Sequence, residues 1–162
     1  MEKSVIDIGE KGSKMILNEL RKEGVVSIPS WLPENTVYLT YVGSVAYGAS
    51  NETSDLDCYG ITVPTKASLF PHLDGCVFGF DYPKKPFQQW QQHHVDYRGK
   101  EYDFQIFNIV KFFHLAMENN PAVIDTLYTP QECVLHLSHV GNRCCCRGRE
   151  RVFWKTDFRF QR

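Results

Sequence analysis

Apolar Met15, Ile16, Leu17 and Leu20 recur at near-helical spacing among Glu and Lys, which predicts an amphipathic helix over residues 10–23, stopped by Gly24. Past a linker from Ser27 to Pro33, the β-branched and aromatic run Thr36 to Val42 predicts a strand ending at Gly43. Residues 45–49 suit a short helix whose N-terminus begins at Ser44, the polar run Ser50 to Ser54 suits a loop, and Leu56 to Val63 predicts a second strand closed by Pro64. From Pro64 to Gly99 the pattern weakens. Leu69 to Leu73 and Cys76 to Phe80 supply apolar anchors, the second as a short strand, while Pro83 to Pro86 and Gln88 to His94 read as an exposed excursion. Alternation returns at Lys100 to Phe107, a predicted strand with Phe104 and Ile106 on one face and Asp103, Gln105 and Phe107 on the other. Asn108 to Met117 is apolar on a broad face, as a helix packed on a sheet would be. Asn120 as cap and Pro121 at the first helical position open another helix that runs to Tyr128. The elements add up to a mixed α/β (α+β) domain, a small twisted mixed sheet with helices packed on one side.

Composition narrows the class. The 162 residues are the size of one domain, and 43% hydrophobic with 23% charged residues is ordinary for a soluble globular chain. The N-terminus lacks the basic start and apolar run of a signal peptide and no segment approaches a membrane span, so the expected compartment is the cytoplasm and the expected partners include no membrane. The six cysteines then read as reduced thiols. Residues 143–162 carry seven Lys or Arg against Glu150 and Asp157, a local charge of about +5 against about −6 for the remainder. This tail reads as a poorly structured terminus, with contact to nucleic acid or a triphosphate as the alternative. A net charge of −1 argues against a broad nucleic-acid surface.

The chemistry concentrates between the first two strands. Asp55 and Asp57 lie two apart and so share a face, about 6 to 7 Å apart along a strand. Carboxylates so placed repel and call for a cation, and Mg²⁺ suits one or two carboxylates together with phosphate oxygens and water. Just upstream, Gly43 lets a phosphate chain approach the backbone and Ser44 offers a hydroxyl and an N–H to it. Asp103 is the candidate third carboxylate, with Asp96 and Glu101 as rivals. Glu52 reads as solvated, and Tyr47 as either packed under its loop or offered to substrate. His93 and His94 are open to metal binding or proton shuttling, but lack a second ligand cluster at recognisable spacing. Cys133, His136, His139 and Cys144 offer zinc-type ligands without the close pairs of a structural zinc site.

Gly43-Ser44, ten intervening residues, then Asp55-Leu56-Asp57 resembles the signature of the DNA polymerase beta-like nucleotidyltransferase superfamily. The form Gly-Ser-x-Ala-Tyr-Gly from Gly43 to Gly48, and the later Asn-Pro-x-x-Ile-Asp ending at Asp125, resemble its subgroup of uncharacterised predicted nucleotidyltransferases that includes RNA-repair-associated members. Cys58 stands where an aliphatic residue is more usual, and Asp125 where Glu is frequent. The resemblance implies a nucleotidyltransferase domain over residues 1–142, followed by the basic Cys- and Arg-rich tail 143–162, a truncated or altered ending for such a chain. It implies transfer of a nucleoside monophosphate from a nucleoside triphosphate to an acceptor hydroxyl, on RNA, protein or a small molecule, with release of pyrophosphate. The implied cofactors are two Mg²⁺ ions, with Mn²⁺ as the alternative, held by Asp55, Asp57 and Asp103. Asp103 would also assist deprotonation, and Gly43 and Ser44 would hold the β- and γ-phosphates. The competing expectation is a catalytically impaired nucleotide- or RNA-binding module.

Overall fold

The structure is a computed structural model that describes residues 12–51, 54–70, 72, 75 and 86–143. The predicted strand at residues 76–80, Glu52, Cys144 and nearly all of the basic tail lie outside the described residues.

Helix α1 (Gly12–Lys22) ends where Gly24 takes φ +71° and the Val25 N–H reaches back to the Leu20 carbonyl at 3.0 Å, the left-handed stop that glycine makes easy. A single turn, α2 (Leu32–Asn35), leads into β1 (Thr36–Tyr41), and another, α3 (Gly43–Ala46), separates β1 from β2 (Leu56–Thr62). Short α4 (Lys66–Leu69) follows, then β3 (Gln89–Tyr97) and β4 (Lys100–Asn108). Helices α5 (Ile109–Met117) and α6 (Pro121–Leu127) are capped by Asn108 and Asn120, whose side chains accept from the N–H groups of Val110 and Val123. Strand β5 (Val134–Leu137) and the turn α7 (His139–Gly141) complete the described chain.

The five strands form one mixed sheet in the order β3-β4-β2-β1-β5. β2 and β4 run parallel at its centre, and every other neighbouring pair is antiparallel. The mixed α/β class expected from the sequence is the class observed, with two differences. Gln88 to His94 is no excursion: from Gln89 on it lies within β3, paired with β4 through a tight hairpin in which Arg98 and Gly99 both have positive φ, the backbone that two-residue hairpin turns require. Nor are the helices confined to one side. Leu17 and Leu20 of α1 pack with Leu39, Cys58, Phe104 and Ile106 on one face, whereas Phe112 of α5 and Val123 of α6 pack with Tyr38, Ile61 and Phe107 on the other. A central parallel pair is stable when both its faces are covered. Side chains alternate along β2 and β4, so Asp57 and Asp103 point to the α5–α6 face while their neighbours Cys58 and Phe104 point into the α1 core.

Candidate active site

Asp57 and Asp103 are directly opposite in the parallel β2–β4 register. Neighbouring strands lie about 4.8 Å apart, so residues opposite on one face are side by side. Asp55 immediately precedes β2, and one carboxylate oxygen from each of Asp55, Asp57 and Asp103 lies within 4.8 Å of the other two. The three candidate residues named from sequence are thus brought together.

Gly43 sits against them for a reason the sequence does not announce. It has φ +61°, and a β-carbon built on it would stand 2.5 Å from Asp57 Oδ2. The Val42 N–H donates to the Asp57 carbonyl at 2.9 Å, tying the turn to the strand. The space left by the missing side chain is therefore filled by the Asp57 carboxylate. Only glycine satisfies both the backbone and the contact. Ser44 opens the same turn; its Oγ is buried and has no hydrogen-bond partner among the described residues. A polar atom in that state normally awaits one. Helix α3 is shorter than the sequence pattern suggests, starting at Gly43, one residue before Ser44, and ending at Ala46 rather than Ala49.

The electrostatics of the two central carboxylates are opposite. Burial, then the charges of Asp55 and Asp103, push Asp57 above the usual carboxylate range, against a smaller opposing pull from His93. Desolvation also acts to raise Asp103, but hydrogen bonds from His93 and from the His94 N–H outweigh it and hold Asp103 below that range. Three hard oxygen donors converging on one point, one of them ionised at a cost, fit a divalent cation of the Mg²⁺ or Mn²⁺ kind.

Among the rivals, Glu101 bonds His94 Nδ1, and with His94 and Asp103 it forms a second grouping that shares Asp103 with the first. Asp96 is exposed on β3 opposite Glu101 and belongs to neither grouping. Cys58 is fully buried, and desolvation pushes its thiol well up, so it behaves as the aliphatic residue whose place it takes. Tyr47 is not packed under its loop: it is 69% exposed and donates to Asp125 Oδ2 of α6, and both residues line a pocket of about 230 Å³ together with Gly43, Ala46, Tyr128 and Pro130 among others. Sequence reasoning left out the contact of His93 with Asp103. Its only signal, a paired histidine beside a Gly99 turn, has no fixed meaning without the strand register.

Asp55 just before β2, Asp57 on β2 and Asp103 on β4 thus converge beside the Gly43-Ser44 turn, and the family comparison places the chain in a polymerase beta-like class. The family described as RlaP, RNA repair pathway DNA polymerase beta family, matches residues 13–142, and the chain belongs to it. No curated protein and no solved structure matches the chain. Among the described residues, no helix is long and apolar enough to cross a membrane.

Proposed function

We propose that this nucleotidyltransferase moves a nucleoside monophosphate from a nucleoside triphosphate to an acceptor hydroxyl, with Asp55, Asp57 and Asp103 holding two Mg²⁺ ions. The observation that carries the reading is the convergence of three carboxylate oxygens within 4.8 Å of one another. Bound there, the ions would neutralise the triphosphate and acidify the acceptor hydroxyl. Everything else falls to the chain. Gly43 and the Ser44 hydroxyl hold the β- and γ-phosphates, with the unpartnered Ser44 Oγ as the supporting observation. The acceptor oxygen forms its bond to the α-phosphorus as the bond from that phosphorus to the bridging oxygen breaks, and pyrophosphate leaves. The hydroxyl proton passes to the Asp103 carboxylate, which the donors from β3 hold in place to accept it. In such a transfer the protein contributes mainly positioning and charge stabilisation. The catalytic domain is assigned to residues 1–142, a boundary supported by the family match ending at 142, with 143–162 as a separate basic segment.

The test is incubation with Mg²⁺ and α-labelled nucleotides against RNA, protein and small-molecule acceptors. Label transfer that falls at least about 1,000-fold in Asp57→Ala is the expected result. Nucleotide binding with no transfer to any acceptor would replace the enzyme by a nucleotide- or RNA-binding module.

A further inference from the structure

Along most of the β3–β4 pair one residue faces one. Between the pairs Gln92–Phe104 and Val95–Tyr102, however, two residues of β3, His93 and His94, oppose Asp103 alone. Such a bulge takes backbone groups out of the ladder and re-aims the side chains around it. Here one re-aimed side chain and one backbone N–H go to the same carboxylate. His93 Nδ1 is 2.8 Å from Asp103 Oδ2, and the His94 backbone N–H donates to Asp103 Oδ1 at 2.8 Å. An ionised carboxylate only accepts, so His93 Nδ1 is the donor. His94 has φ +53°, left-handed backbone that is uncommon outside glycine and that delivers its N–H to the side chain rather than to a strand partner.

Each carboxylate oxygen has two lone pairs. The two donors take one position on each oxygen of Asp103 and leave one on each, enough for a cation and for the acceptor's proton. Held at both oxygens from β3, the carboxylate is no longer free to rotate about its terminal bond. Asp55 and Asp57 have no such paired clamp among the described hydrogen bonds. We propose that the His93–His94 bulge fixes the Asp103 carboxylate in the orientation that meets Asp55 and Asp57, and that His93 is a positioning residue for the site. This rests on the assignment of Asp103 to the ion-binding set. Hydrogen-bond partners that orient metal-binding carboxylates typically matter by roughly 10- to 100-fold in metal affinity.

The experiment compares the full chain with His93→Ala, His93→Asn and, as a control on the same strand, Gln91→Ala. Asn carries its amide N–H close to where imidazole Nδ1 sits. His93 is half-exposed, so all three variants should fold, which circular dichroism checks. Mn²⁺ binding is followed by electron paramagnetic resonance of the free ion, and metal-free crystals report the orientation of Asp103. H93A is expected to bind Mn²⁺ at least about 10-fold more weakly with Asp103 turned away from Asp57, H93N to stay within about 3-fold, and Q91A to match the parent. An unmoved Asp103 in H93A, or H93N as weak as H93A, overturns the proposal. Should the parent chain itself bind no Mn²⁺, the ion-binding reading falls, while the orientation of Asp103 in metal-free H93A still decides the role of His93.

Discussion

Two regions supply the candidate site, and they hold their carboxylates by different means. From β1 to β2, the turn at Gly43 and the strand carrying Asp57 are held together by a left-handed glycine, a Val42 to Asp57 backbone hydrogen bond, and a carboxylate lying where a β-carbon on Gly43 would stand. In the β3–β4 hairpin, Asp103 is held through its side chain by an imidazole and a freed amide. Burial first, then the charges of Asp55 and Asp103, push Asp57 up, whereas the donors of the second region outweigh burial and hold Asp103 down. One site thus contains a carboxylate whose ionisation the fold resists beside one whose ionisation it favours. A divalent cation held there would relieve the first and act on the second in the same direction as its donors.

The comparison breaks most severely at Gly43. Gly43→Ala must place a β-carbon where Asp57 Oδ2 now lies and keep a φ that L-residues disfavour by about 1–2 kcal/mol. We expect a loss of roughly 2 kcal/mol in urea unfolding and of at least about 100-fold in label transfer. Asp103→Asn comes next. Asp103 is held low, so its contribution to stability is present above the ordinary value of 3.8 and is lost as pH falls through the lowered one. At pH 7 the variant is expected to be about 1 kcal/mol less stable than the parent, with the gap closing in acid. Asp57→Asn should do the reverse. Asp57 is raised, so the favourable contribution of its protonated form is complete below 3.8 and lost as pH rises through the raised value. Without divalent ions the variant should melt slightly higher than the parent at pH 7, the difference vanishing as pH approaches 4. Opposite signs for these two Asp→Asn changes would sharpen the contrast between the regions. Equal signs would dissolve it.

The difference also explains what could be read from the chain. The β1–α3–β2 unit is local: strand, Gly-Ser turn and Asp-x-Asp fall within residues 36–62, and periodicity alone puts Asp55 and Asp57 on one side. Asp103 was legible through the alternation of β4, because Phe104 and Ile106 mark the opposite face. β3 was not, since a run of Gln and His with a bulge shows neither alternation nor an apolar face, and it is a strand because β4 offers it an edge. β5 was missed too, being four residues long with a half-buried, buried, buried, half-buried pattern that no period marks. Helix α1 showed its apolar stripe, but which side of the sheet the stripe covers depends on the path of the chain and not on the stripe. The pattern around Gly43 suggests room for a phosphate, whereas in the fold the missing side chain makes room for Asp57.

In the proposed reaction Asp55, Asp57 and Asp103 jointly hold the ions that bring a triphosphate to the Gly43–Ser44 turn. Crystals grown with MnCl₂ and a triphosphate analogue that cannot release pyrophosphate test it directly through anomalous scattering at the manganese edge. The account predicts two manganese peaks ligated by these three carboxylates, with the β- and γ-phosphates against Gly43 and Ser44. Manganese bound elsewhere, or a triphosphate seated away from that turn, would contradict it.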